Sequence, residues 1–221
     1  MLAHKWRQQL ITNALDGDYL SIKVKKLSLN EDLTNLYQNQ SSEEIKEITQ
    51  QSCEVILEVE VKRGSYDTEP AYSIDLQGKG VGLIDASFEA LVKHFADEYQ
   101  SLKSIQFASF AIKGEAEQSK RAGADAKCTA RLVIHNSDDN PLEFEESGHS
   151  MAAVSLFIVL SAVEHFINAE RAFISLYRAL EDAKKRGRQD LVESFTSQLS
   201  ELVKTTSYSE VIAQLRSELN V

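Results

Sequence analysis

The sequence predicts an α+β fold made of two strand-strand-strand-helix units, with a helix before them and a helical hairpin after them. Six segments alternate apolar and polar residues, which is the period of a half-buried strand. Two segments, each placed after three such strands, instead repeat apolar residues at the 3.6-residue period of a helix. Similar tetrapeptides beginning at Val92 and Val163, V-K-H-F and V-E-H-F, agree with this repeated order. We therefore interpret the chain as an internal duplication.

The first unit follows a short amphipathic helix at residues 3–15, which ends at Asp16-Gly17. A long polar connection, with a short helix beginning near Ser41, separates its first two strands. Its elements are strands Tyr19–Leu29, Cys53–Lys62 and Ala71–Leu76, a glycine-bearing loop Gly78–Gly82 and a helix Leu83–Tyr99.

The second unit repeats this order and is followed by two amphipathic segments. Its strands are predicted at Lys103–Lys113, Ala126–His135 and Pro141–Glu145, its loop at Gly148–Ser150 and its helix at Ser150–Arg186. The added hairpin is predicted at Gln189–Thr205 and Ser207–Asn220. The chain is therefore expected to divide into an N-terminal helix at 1–18, a duplicated domain at 19–186 and a C-terminal helical hairpin at 187–221. The two units of the duplicated domain are 19–99 and 102–186.

Charge and targeting signals narrow the class of protein. The chain has 34 acidic and 24 basic residues and a net charge of −10, so its surface repels nucleic acids and anionic membranes. The N-terminus lacks an apolar secretory segment. The most apolar stretch, Met151–Val163, has 13 residues, whereas a bilayer span needs about 20. Cys53 and Cys128 lie in strands and are interpreted as buried, reduced thiols, which predicts a cytoplasmic protein without a membrane partner.

The sequence contains no recognisable catalytic or metal-binding motif. None of His4, His94, His135, His149 and His165 has the spacing of a metal site. Nucleophile-elbow and Walker motifs are also missing. We therefore expect no metal, no cofactor and no catalytic residue, and favour a protein that is not an enzyme.

The loop Gly78–Gly82 is the main candidate site, and two interpretations of it stay open. Glycines between a strand and a helix let backbone N–H groups approach a carboxylate or phosphate at the helix N-terminus. The same glycines would also suit a simple turn. The spacing G-x-G-x-G is not the dinucleotide-binding fingerprint. The segment Met151–Val163 is apolar on all sides, which predicts that the terminal hairpin or another subunit covers it.

Three motifs resemble the C-terminal regulatory, dimerisation domain of 2-isopropylmalate synthase and citramalate synthase, the LeuA-type allosteric domain. Gly80–Ala86 with Ala90 resembles the family's G-x-G-P-V-D-A, with Leu83 in place of the proline. Gly123–Ala126 resembles its G-x-D-A, and Gly148–Ser150 resembles the G-x-S at the start of its second helix. The likeness spans residues 19 to 180, without the family's catalytic barrel of about 250 residues.

The resemblance implies a stand-alone regulatory module, a homodimer that binds leucine, isoleucine or a related small acid at its glycine loops. The ligand-binding residues that it implies are Gly78, Gly80, Val81, Gly82, Leu83, Ile84, Asp85, Ala86, Gly148, His149 and Ser150. Two alternatives remain: a regulatory subunit joined to a separate synthase catalytic subunit, which would be an acyltransferase complex in branched-chain amino acid biosynthesis, and a dimerisation scaffold without a ligand.

Overall fold

A computed structural model describes residues 2–32, 52–64, 70–114, 126–136, 140–203, 208 and 211–212. Within these ranges it shows the predicted α+β class and the duplicated order of three strands and a helix. The helices are α1 (Leu2–Leu15), α2 (Leu83–Phe95), α3 (Met151–Lys185) and α4 (Gln189–Val203), with a 3-10 helix at Gln100–Ser104. The strands are β1 (Leu20–Asp32), β2 (Ser52–Arg63), β3 (Tyr72–Gly80), β4 (Gln106–Gly114), β5 (Cys128–His135) and β6 (Pro141–Gly148). The short helix predicted near Ser41 lies outside the described residues.

Each unit contains one antiparallel three-stranded sheet whose strands follow one another in sequence order. The first sheet is β1-β2-β3 and the second is β4-β5-β6. The first strand of each sheet contains an irregularity in register, between Val24 and Lys26 in β1 and between Phe107 and Ser109 in β4. Such bulges bend a strand locally, and their presence in both first strands is a further similarity between the units.

The apolar faces of the two sheets contribute to one shared core. Alternate residues of β2, from Cys53 to Val61, are buried, and those of β5, from Cys128 to Ile134, belong to the same cluster. Both cysteines are free and buried. A period of two places alternate side chains on one face of a strand, so the alternation read from the sequence identified the core faces of both central strands.

The loop predicted at Gly78–Gly82 lies partly within a strand, because β3 continues to Gly80. Gly78 and Gly80 pair with Val55 and Cys53 of β2. The glycines do not interrupt the strand. They leave room for α2, which packs directly across β3 and β2.

Helix α3 is the central element of the fold, and its two halves pack in different surroundings. Its first half, from Val154 to Ile167, lies in the core shared with both sheets and α2. Its second half, from Ala169 to Ala183, packs against α1, α4 and Tyr208. Most of Met151–Val163 is thus covered by the two units of the chain, whereas the sequence predicted cover by the terminal hairpin or another subunit. Only Met151 and Phe157 are exposed large apolar residues there.

Among the described helices, α3 also has the length and composition needed to cross a bilayer. It has 35 residues and contains an 18-residue window with a mean hydropathy of 1.7, so the estimate of 13 residues from sequence was too short. Buried core helices satisfy the same criterion, and 61% of this window is buried inside the fold. Its apolar character is therefore accounted for by the packing of the chain itself.

Polar side chains of α3 hold the first strand of the first unit. Asn168 accepts a hydrogen bond from the Leu20 N–H and donates one to the Leu20 carbonyl, each at 2.8 Å. Glu164 accepts a hydrogen bond from the N–H of Ile22. A strand edge exposes unpaired backbone groups, and here the amide and carboxylate of a helix take the place of a further strand.

The surroundings of Glu164 disfavour a negative charge on its carboxyl group. Burial raises the pKa of its carboxyl group, and Glu146 adds to the rise, whereas the hydrogen bond from Ile22 opposes it. Because the pKa is higher in the folded state than in the unfolded state, folding favours the protonated form. This contribution to stability is greatest below the usual carboxyl range and is lost as the pH rises through the raised pKa.

We expect Gly78→Ala to destabilise the fold strongly. A Cβ atom at position 78 would lie 2.1 Å from the Ala86 carbonyl oxygen and 2.6 Å from the Ala90 nitrogen, both of them backbone atoms. Separating α2 from β3 should cost about 3 kcal/mol or more in the free energy of unfolding, measured by urea denaturation. Gly114→Ala is the matched control, since nothing lies within 4 Å of its added atom. Equal stability of the two variants would contradict this packing.

We expect Glu164→Gln to stabilise the chain at pH 7 and to flatten its stability profile between pH 7 and pH 5. The amide still accepts the Ile22 N–H but has no charge to desolvate. The free energy of unfolding should therefore rise with acidification more steeply in the wild type, so that the two curves converge. Glu193→Gln, at an exposed position of α4, should leave the profile unchanged. A gap that widens at low pH would be evidence against a raised pKa at Glu164.

Candidate ligand-binding site

A cleft lies between the start of α2 and the second sheet. Its volume is about 520 Å³, within the range of about 300 to 1,000 Å³ that is common for small-molecule sites. It is lined by Val81, Gly82, Leu83, Ile84, Asp85, Phe107, Ala108, Ser109, Phe110, Leu132 and Ser155. Both units contribute, so the cleft exists only because the two units pack together.

The polar wall of the cleft is the first turn of α2. Gly82 is the N-cap residue, and no side chain caps this end of the helix. Asp85 reaches back instead, and its Oδ2 atom accepts the Val81 N–H at 3.0 Å. The first N–H groups of a helix have no partner within the helix, so those of Leu83 and Ile84 are available to an acceptor.

Gly80 and Gly82 differ in whether the structure requires glycine at their positions. A Cβ at Gly80 would lie 2.4 Å from the Asp85 carboxylate, so any larger residue at position 80 would displace the Asp85 side chain. Gly82 has extended backbone angles, with φ −172° and ψ 178°, which any residue adopts. Nothing lies within 4 Å of a Cβ added there. Neither its backbone angles nor its described neighbours require glycine at position 82, and the open space in front of it faces the cleft.

The opposite wall is apolar and comes from β4. Phe107 packs edge-to-face on Phe88 of α2, with 4.6 Å between ring centroids. Phe107 and Phe110 are still 36% and 38% exposed, and Val81 at the rim is 69% exposed. Aromatic side chains open to a cleft supply apolar contact area for a ligand.

The charges at the cleft favour a particular chemistry. Asp85 is the only charged residue among the described residues that line it. A helix N-terminus attracts a carboxylate, whereas the neighbouring carboxylate of Asp85 attracts a cation. Together with the phenylalanine wall, these groups complement a zwitterion with an apolar side chain better than a simple anion.

The structure brings only part of the predicted site together. Val81 to Asp85 line the cleft, whereas Gly78, Gly80 and Ala86 lie at the contact between α2 and β3. Gly148–Ser150 is at the start of α3 and does not line this cleft. There Ser150 acts as the N-cap, since its Oγ accepts the Ala153 N–H at 3.3 Å, and a Cβ at Gly148 would lie 2.9 Å from a Val154 methyl group. Gly123–Asp125 of the second motif lies outside the described residues.

Sequence reasoning missed the contribution of the second unit to this cleft. The missed residues are Phe107, Ala108, Ser109, Phe110, Leu132 and Ser155. One signal was present: the spacing of three between Phe107 and Phe110 breaks the alternation of a regular strand and marks the bulge. Nothing in the sequence shows that this bulge faces α2.

No metal centre can be built from the described ranges. Within them, no group of three or more histidine, cysteine, aspartate or glutamate side chains could hold a metal ion. Outside the cleft, the most buried of the described carboxylates is Glu170, which accepts hydrogen bonds from the backbone N–H groups of Gln100 and Ser101. Burial raises the pKa of Glu170, but its hydrogen bonds go to the 3-10 helix, which indicates a structural role.

Comparisons with known proteins do not identify a family. No protein-family model matches the chain, and no curated protein matches it significantly. The resemblance to the LeuA-type regulatory domain therefore stays a prediction from the motifs quoted above.

Proposed function

We propose that the chain is a regulatory module that binds a branched-chain amino acid, such as leucine or isoleucine, in the cleft between α2 and β4 and acts as a homodimer. The observation that carries the proposal is the composition of the cleft. An uncapped helix start, the Asp85 carboxylate and two open phenylalanine rings meet in one space. The motif that resembles the family's ligand loop, Val81 to Asp85, forms part of the same space.

The proposed binding mode assigns each ligand group a partner. The ligand carboxylate accepts hydrogen bonds from the N–H groups of Leu83 and Ile84, and the positive end of the helix dipole adds to the attraction. The ligand ammonium group lies beside Asp85. The branched side chain packs on Phe107 and Phe110, where burial contributes about 25 cal/mol per Å² of apolar area. A 2-oxo acid has no ammonium group and meets the charge of Asp85 without compensation.

We expect leucine, isoleucine or valine to raise the melting temperature, whereas the corresponding 2-oxo acids do not. At ten times its Kd an amino acid stabilises the folded state by about 1.4 kcal/mol, which corresponds to about 3 to 6 °C for a chain of this size. Thermal shift and isothermal calorimetry measure the effect. An unchanged melting temperature with all three amino acids at millimolar concentration would refute the proposal.

Two variants test the binding mode. Gly82→Val should fold, since space is open at that position, but its side chain should obstruct the helix start and abolish binding. Gly114→Val, also at an open position, is its control. Asp85→Asn should weaken amino-acid binding and reduce the discrimination against 2-oxo acids. Unchanged affinity in Gly82→Val would show that the ligand binds elsewhere.

The proposed dimer is supported by the exposure of β4. Eight of its nine residues are exposed, among them the apolar Phe107 and Phe110, whereas Ile112 is half-buried against the core. The equivalent strand of the first unit, β1, is covered by α3 over Leu20 and Ile22. In the described chain no helix covers β4 in this way. A second copy paired along the free edge of β4 would cover this strand and leave Phe107 and Phe110 facing the cleft.

We expect the chain to sediment at twice its mass of 24.7 kDa. Ile112→Glu places a charge on the inner face of β4, away from the residues that line the cleft, and should shift the protein to monomer in analytical ultracentrifugation. Lys113→Glu, on the other face of the same strand, is the control. Circular dichroism establishes that each variant is folded. A folded Ile112→Glu dimer would exclude β4 from the interface.

A further inference from the structure

The outer edge of β3 has the features of a second binding surface. Among the described strands, β3 is the last of the first sheet and pairs only with β2. The Lys79 N–H points away from β2, because it donates to the Glu89 carboxylate of α2 at 3.1 Å. Backbone groups alternate in direction along a strand, and the register with β2 is unbroken. The N–H and C=O groups of Gln77 and Asp75 therefore face outward as well.

A groove of about 350 Å³ runs along this edge. One side is β3 from Ile74 to Gln77, and the other is α2 at Ala90, Lys93 and His94. It is separate from the cleft at the start of α2, since the two share no lining residue. A groove between an exposed strand edge and a helix is suited to an extended peptide, whose backbone continues the sheet.

The two edges of the first sheet differ in how the chain itself occupies them. On β1, Asn168 and Glu164 accept hydrogen bonds from the backbone N–H groups of Leu20 and Ile22. On β3, Glu89 accepts a hydrogen bond only from the Lys79 N–H. In the described ranges no side chain bonds to the outward groups of Gln77 and Asp75, which leaves two successive positions for a ladder.

The charge along the groove selects the partner. Lys93 and His94 are exposed on the helix side, and Lys93 forms no ion pair with any described carboxylate. The charge of this lysine stands out on a chain with a net charge of −10. The side chains of Asp75 and Gln77 lie on the opposite face of the sheet, because residues of a strand alternate between faces. An added strand would thus meet the positive charge of Lys93 on one face only.

We propose that the β3 edge binds an extended segment of a partner protein as a fourth strand of the first sheet, with an acidic side chain directed at Lys93. The main-chain ladder to Asp75 and Gln77 supplies affinity, and Lys93 selects an acidic side chain on the face of the added strand that it meets. The proposal is independent of amino-acid binding in the cleft.

The test uses the full chain and two fluorescein-labelled peptides of about ten residues, one alternating threonine with glutamate and the other alternating threonine with lysine. We expect the acidic peptide to bind saturably in fluorescence anisotropy and to shift the amide NMR signals of Asp75 and Gln77, and the basic peptide to do neither. Lys93→Glu should weaken binding of the acidic peptide by about fivefold or more, since it replaces an attraction by a repulsion. Lys113→Glu makes the same change of charge on β4 and should alter binding by less than about twofold.

Gln77→Pro tests the ladder itself. The Gln77 N–H does not contribute to the pairing with β2, and proline is tolerated at such edge positions, so this variant should fold and lose binding. Lys93→Glu changes only an exposed helix residue, and therefore tests the proposal even if Gln77→Pro does not fold. The proposal is overturned if the acidic peptide does not bind at about 1 mM, if Lys93→Glu and Lys113→Glu weaken it equally, or if folded Gln77→Pro binds as the wild type does.

Discussion

The attachment of β1 to α3 is the contact on which the rest of the structure depends. The two sheets are separate ladders among the described strands, and α3 packs against strands of both. Asn168 and Glu164 of this helix bond to the backbone of Leu20 and Ile22. A buried polar group that lost its partner would cost about 1 to 3 kcal/mol. The contact therefore fixes the angle between the units as well as adding stability, because apolar packing alone is not directional.

The same contact determines where the cleft lies. Once α3 holds the first unit against the second, α2 lies with its first turn facing β4, and Gly78 and Gly80 let it lie close to the sheet. The cleft is consequently a space between units. A ligand bound there would contact the helix start from one unit and the phenylalanine wall from the other, so that its binding would depend on the relative position of the two. This is the physical property that a regulatory site requires, since a ligand shifts only an equilibrium whose states it binds unequally.

The electrostatics of the chain differ between its interior and its surface. Inside, the carboxyl groups of Glu164 and Glu170 are held among hydrogen-bond donors, and burial raises the pKa of each. At the surface, ion pairs such as that between Arg131 and Glu143 are exposed, and pairs of this kind contribute little to stability. The internal carboxylates therefore have the greater effect on how the two units stay together, even though the formal charge of −10 is mostly a surface property.

The sequence by itself determined the order of the described strands and helices, the buried faces of β2 and β5, and Gly78–Gly82 as a candidate loop. These follow from local periodicity and from the conformational preferences of glycine, which act within a few residues. Only the tertiary structure decided that Gly78 and Gly80 belong to a strand, that α3 is covered by the two units, and that Phe107, Phe110 and Ser155 face the loop. Those facts depend on contacts between segments far apart in the chain, such as Leu20 with Asn168. Local patterns contain no information about the distance between such segments, and packing of the complete core sets it.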